Sequence, residues 1–179
     1  MFSIGDIVCY PLHGVGKIEA IEEREVLNKS TTYYVISLAN TRMTALLPVD
    51  SAEAVGLRPI ISPDECTAIY DYYKTADPGI GSSNWNQRYR DNMEKLRKGD
   101  PRSVADVILC LAKRSLMRTL SSGERKMLSN ARGILAAEIA AVTKRSLDEV
   151  EKELFNESVI RFLLCCSLLF GGILGQENC

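Results

Sequence analysis

The chain has 179 residues, 25% of them charged and 46% hydrophobic, and a formal net charge of -1. That composition is ordinary for a folded globular chain and excludes collagen-like and low-complexity classes; the length fits one large or two small domains. A single His and six Cys without a C-x-x-C pair give no zinc-site spacing, so no metal ligand set and no cofactor is expected.

The net charge hides a polarity. Met1–Tyr73 carries 5 Lys+Arg against 10 Asp+Glu, net -5, whereas Trp85–Arg145 carries 14 against 6, net +8. Ser146–Cys179 returns to 2 against 6, net -4. A basic middle between acidic flanks points to a polyanion-binding module joined to something else.

In chain order, Phe2 to about Val49 reads as β. Ile7, Val8 and Tyr10 form a short run ending at Pro11. Val15–Val26 alternates, with Ile18, Ala20 and Val26 on one face and Lys17, Glu19 and Glu25 on the other. Asn28-Lys29-Ser30 reads as a turn before the strand Thr32–Leu38, and Asn40-Thr41-Arg42 as a second turn before Met43–Pro48. Pro48 confines that strand's end to an edge or terminus. Short strands at this spacing predict a small bent sheet or partly open barrel.

From Ser62 the pattern turns helical. Ser62-Pro63-Asp64-Glu65, Ser121-Ser122-Gly123-Glu124 and Ser146-Leu147-Asp148-Glu149 are capping boxes, and Asp100-Pro101 opens a further helix. Between them, Ser82–Gly99 predicts a helix capped by Ser82 or Ser83 and stopped at Gly99. Tyr89, Met93 and Leu96 form its inward stripe, with Arg88 and Arg90 off it. Trp85 stands in its first turn, where two readings are open. It is either a core staple or an exposed aromatic beside arginines, able to stack or wedge against nucleic acid. The helices predict one compact bundle. The class is therefore α+β, divided at residues 1–60, 61–155 and an apolar tail, 156–179. Phe162–Gly175 of that tail lacks charge but falls short of the ~20 residues of a spanning helix. Met1–Asp6 lacks the charged start and long apolar run of a signal peptide, so a cytoplasmic protein with reduced thiols is expected.

Catalytic spacing is missing. His13 sits in the turn Pro11-Leu12-His13-Gly14, where a structural role is the simpler reading. No nucleophile–base–orienter set and no phosphate-binding glycine loop is present, so the chain reads as no enzyme.

Ile4-Gly5-Asp6-Ile7-Val8-Cys9-Tyr10-Pro11-Leu12-His13-Gly14-Val15-Gly16-Lys17-Ile18 resembles the opening of the CarD/CdnL family of bacterial transcription regulators, whose N-terminal module recurs in transcription-repair coupling factor. Asn84–Arg90, Glu94-Lys95-Leu96, Gly99-Asp100 and Leu120–Leu128 are similar to CarD/CdnL in the second half. The resemblance covers about residues 2–150. It implies a Tudor-like N-terminal domain that docks on the RNA polymerase β subunit. It also implies a helical domain that meets promoter DNA in the minor groove, largely independent of sequence, at the upstream edge of the bubble. A monomer that stabilises the open complex is what it leads us to expect. By position, it implies polymerase contacts at Arg24, Val26 and Leu46, with Arg42 as the basic substitute where Leu46 replaces a cation. It implies DNA contacts at Trp85, Arg88, Arg90, Lys113, Arg114, Arg118, Arg125 and Lys126. Two other readings remain: an adaptor whose helices bind an acidic protein, with Trp85 buried, and an architectural DNA binder that acts without polymerase.

The tail lies beyond the resemblance. Deleting residues from Asn156 onward should leave DNA and polymerase binding unchanged; recovery of only the full-length protein with membranes on fractionation would instead reveal an anchor.

Overall fold

The computed structural model describes residues 1–26, 29–39 and 43–155. Asn28 of the first expected turn, the whole of the second expected turn at 40–42 with Arg42, the side chain of Val26 and the tail from residue 156 lie outside the described residues. The class is α+β: five strands, then five helices.

The strands are β1 (Ile7–Tyr10), β2 (Gly14–Val26), β3 (Lys29–Leu38), β4 (Thr44–Pro48) and β5 (Arg58–Pro59), in the order β4-β3-β2-β1-β5. All pairings are antiparallel. Lys29 and Ser30, expected in a turn, pair with Val26 and Glu25 as the start of β3. Ala20 was expected on the face of Ile18 and is not there. A register shift between them pairs Ile18 with Ile36 and Ala20 with Val35, so the one-residue bulge turns Ala20 to the opposite face. Leu46 of β4 also pairs with Val35. Val8, Ile18, Tyr34, Ile36, Leu38 and Leu47 fill the inner face against Ala52 and Leu57. β4 spans only Tyr33–Ser37 of its neighbour, so the β2–β3 ribbon runs on past it.

The helices are α1 (Pro63–Thr75), α2 (Trp85–Lys98), α3 (Pro101–Met117), α4 (Ser122–Thr143) and α5 (Leu147–Phe155). Ser62 and Ser121 close reciprocal capping boxes with Glu65 and Glu124, and Ser146 exchanges the same two bonds with Glu149. Asp100 caps α3. For α2 the cap is Asn84, whose side chain accepts from the Asn86 and Gln87 amides, in place of the expected Ser82 or Ser83. Asn outranks no Ser in capping strength, but Asn84 is the residue in extended conformation directly before the first helical turn. Val104, Val107, Ile108 and Leu111 of α3 meet Met127, Ile134, Leu135 and Ile139 of α4 in the second, larger core. Among the described residues no helix is long and apolar enough to cross a membrane, and no three potential metal ligands are gathered together.

The two cores are joined by a charged joint. Arg58 of β5 forms a bidentate ion pair with Glu138 of α4, whose carboxylate also accepts the Ile61 amide. The same guanidinium donates twice to the Gly99 carbonyl, at 3.0 and 2.7 Å. Glu138 is 1% exposed. The Cys9 thiol beside it is pushed up to about 12, by burial first and then by the Glu138 carboxylate, and stays an inert SH. Gly99 closes the seam. Its φ of 66° ends α2, and a Cβ there would lie 2.7 Å from the Pro11 ring. Asn130 of α4 donates to the Leu12 carbonyl in the β1–β2 turn, where Leu12 itself holds a φ of 69°.

A buried carboxylate tolerates its loss of water only while paired. Arg58→Met, which leaves that carboxylate buried and unpaired, should therefore lower stability by about 3–5 kcal/mol. Arg58→Met combined with Glu138→Leu should cost less than the two single changes added together, because neither charge is left alone. Urea melts of the four proteins measure this; strict additivity would place no coupling across the joint.

Candidate nucleic-acid interface

Trp85 is the first residue of α2 and is 45% exposed. It is no core staple, and its position is nonetheless fixed. The indole stacks on Tyr89 one turn on, with ring centroids 5.4 Å apart and planes inclined by 27°. Its Nε1–H donates to Ser121 Oγ at 3.1 Å. Ser121 is the N-cap of α4, so one hydroxyl holds the indole and starts a helix. Gly123 of α4 borders both rings: a Cβ there would make ordinary contacts with Tyr89 at 3.8 Å and Trp85 at 3.9 Å.

Arg88, expected off the inward stripe, is 3% exposed. Arg88, Asn92 and Leu96 are the buried row of α2, while Tyr89 and Met93 are half-buried. Both Nε and Nη2 of Arg88 approach Glu124 Oε1 at 2.8 Å. Its Nη1 donates to the Ser82 and Ser83 carbonyls of the incoming link. Gly81, with φ 70°, lies over the Arg88 stem, where a Cβ would come within 3.2 Å. Arg114 Nε stands 3.6 Å from the same Glu124 oxygen. Burial raises the Glu124 carboxyl, but the Ser121 amide, the Arg88 guanidinium and the Ser121 hydroxyl outweigh it and hold it below the usual carboxylate range.

The expected DNA-contact residues thus divide by environment. Trp85, Arg90, Arg118, Arg125 and Lys126 are exposed. Arg125 donates to the Leu120 carbonyl at 2.8 Å, which orders its stem near the indole end of α4. Lys113 is half-buried and holds Asp77 at 2.6 and 2.8 Å, which lowers the Asp77 carboxyl. Arg114 is also half-buried. Arg88 is the correction: it is desolvated and engaged by Glu124 and two carbonyls, so it braces the start of α2 and is buried away from solvent. Of the residues that share the site, Tyr89 was read as core and Ser121 and Glu124 only as a helix start. The N-termini of α2 and α4 meet beside Trp85, adding their positive ends to the basic side chains.

On the other module, Arg24 is exposed on the projecting β2–β3 ribbon and pairs with Glu22, Nη2–Oε2 2.7 Å. Leu46, 45% exposed, stands on the edge strand β4, on the face shared with Val35 and Ala20. The two groups lie on different modules and form no common cleft.

Residues 2–61 match the CarD-like/TRCF RID domain family, and residues 73–155 match the CarD, C-terminal domain family. The chain belongs to the CarD family. It is 34% identical over 146 residues to the "Putative transcription factor YdeB" of Bacillus subtilis (strain 168), which covers 79% of this chain and 92% of that protein. Membership makes this CarD-family protein a transcription regulator rather than an enzyme. It also accounts for a site built of stacking rings and cations with no reacting groups.

Because the folded Glu124 carboxyl lies below its unfolded value, its contribution to stability is present at neutral pH. That contribution is lost as pH falls through the folded value. Glu124→Gln should lower the melting temperature at pH 7, and the gap from the parent protein should shrink as the pH is taken below 4. Trp85→Ala should move the pH 7 melt far less than Leu96→Ala, since Leu96 is 1% exposed and its truncation costs about 2–5 kcal/mol. Thermal melts across pH check both orderings; equal losses at positions 85 and 96 would mean the indole carries core energy.

Proposed function

We propose that this CarD-family protein binds the RNA polymerase β subunit through its sheet and holds promoter DNA with its helices. In doing so it stabilises the open complex at the upstream edge of the bubble. The observation that carries this reading is Trp85, a large aromatic left 45% exposed yet locked by a stack and a hydrogen bond. A surface indole so ordered fits a wedge, because holding it out costs no further ordering when DNA arrives. An apolar wedge at a junction that is already part-open replaces lost base stacking. The adaptor reading needs a buried Trp85 and finds no support in this exposure. Arg90, Arg118, Arg125 and Lys126 supply phosphate contacts that position without reading sequence. Lys113 and Arg114 act at shorter range, from the edge of the Asp77 and Glu124 ion pairs.

On the sheet, β4 is an edge strand, and among the described residues no strand pairs with its outer side. Such an edge can accept a strand of a partner's sheet. Leu46 and Met43, 45% and 63% exposed, give that edge an apolar flank. Arg24 and, by position, Val26 lie on the β2–β3 ribbon, where a partner carboxylate can exchange with Glu22 for the Arg24 guanidinium; Arg42 is proposed as a further contact from its place in the sequence alone. The protein acts as a monomer in the cytoplasm and reaches the nucleoid through polymerase.

Two substitutions separate the halves. Arg24→Glu should weaken binding of the β subunit by more than ~1 kcal/mol and leave DNA affinity unchanged. Trp85→Ala should shorten the open-complex lifetime by the equivalent of roughly 1–3 kcal/mol with β affinity and melting temperature nearly unchanged. Titration with β and lifetimes measured against competitor decide the matter. A Trp85→Ala protein with a full lifetime would remove the wedge.

A further inference from the structure

The exposed cations of α2 do not stop at Arg90. Arg97 is seven residues on, so it falls within about 20° of the same helical face. Lys98 flanks it; both are exposed, and among the described residues no carboxylate forms an ion pair with either. Their neighbours Lys95 and Arg102 are committed, to Asp106 at 3.2 Å and to the Tyr72 ring at 5.7 Å. The local carboxylates are also largely engaged: Asp91 accepts from Gln87, and Asp100 caps α3. Glu94, exposed between Arg90 and Arg97, opposes them most directly, while Asp91 and Asp100 keep their charge at either end of the row. A favourable interaction with the C-terminal end of the helix dipole explains cations in a last turn. It does not explain why Arg97 lines up with Arg90 in one row along α2, about 120–140° round the helix axis from Trp85.

Distance sets what this stripe can follow. Trp85 to Arg97 is twelve residues, about 18 Å along the axis at 1.5 Å per residue. That is about five steps of duplex at 3.4 Å each. The far end is not free to swing. Gly99 packs on Pro11, and its carbonyl takes two bonds from Arg58, so the last turn of α2 is braced against the sheet module.

We propose that Arg97 and Lys98 are a second phosphate-contact site, which extends the row of DNA contacts from Arg90 along α2 to the junction of the two modules. It rests on the DNA-binding reading above. Double-helical DNA is the ligand, held by its backbone, and Glu94 moderates the grip. The duplex about five base pairs from the wedge is thereby tied to the part of the protein nearest the sheet.

The test is fluorescence anisotropy of the full chain on a labelled duplex with a short unpaired bubble, over a range of salt. Arg97→Gln with Lys98→Gln should reduce the slope of log K against log salt by nearly 2, about 0.9 for each contact. Affinity at 0.1 M salt should fall by up to about eightfold per contact. Glu94→Gln should tighten binding. Lys144→Asn removes a cation at the opposite end of α4, from a left-handed position that Asn tolerates, and should change neither quantity. If the slope is unchanged in the double variant while Arg125→Ala and Trp85→Ala weaken binding, the second site is wrong and the DNA reading stands. If the parent protein shows no salt-dependent binding, both fall. Lys144→Asn matching the double variant would reduce the effect to net charge and overturn the site.

Discussion

The geometry of the whole molecule hangs on the ion pair between Arg58 and Glu138. One guanidinium ties β5, α4 and the α2–α3 turn together, and one carboxylate adds the amide at the start of the α1 segment. Burying Glu138 to 1% exposure is unfavourable unless every lone pair is engaged. The arrangement is therefore specific more than it is strongly stabilising. Two apolar modules could slide past each other at little cost; two modules sharing a desolvated charge cannot. Pro11 against Gly99 and Asn130 on the Leu12 carbonyl add contacts that fit only that one pose. The distance from the β4 edge to Trp85 is set here.

The basic residues of the helical half perform two separate tasks that a charge count merges. Arg88 is an internal strut. It neutralises Glu124, satisfies two carbonyls of the link and carries the first turn of α2. Arg90, Arg125 and Lys126 remain in water. The strut makes the surface charges useful, because contacts from a frayed helix end would lose affinity to ordering. Glu124 is central to this division, since it closes the α4 capping box with one oxygen and holds Arg88 with the other.

Much of this was legible in the sequence where local chemistry decides structure. The three Ser-x-x-Glu boxes, Asp100-Pro101 and Gly99 mark helix ends because caps act over three or four residues. The exposure of Trp85 was open from composition, and it was the family resemblance that tipped the expectation. Arg88 was misread because helical periodicity sorts by polarity. A guanidinium whose stem is buried and whose head finds Glu124 36 residues away obeys no local pattern. The bulge after Ile18 and the two-residue β5 escaped for a similar reason. Both are set by neighbours in the sheet, and Arg58 gives no hint of its partner 80 residues on.

Trp85 has an optical consequence as well. It is the only tryptophan in the chain, so all indole emission comes from one ring, at the tip of one helix, half in water. Any partner that covers that ring must shift the emission of the entire protein without an added label. Conversely, the signal says little about the sheet. Fluorescence will report the loosening of α2 from α4 and stay almost silent while the β module unfolds. The one indole in this molecule is aimed at the surface where the N-termini of α2 and α4 meet.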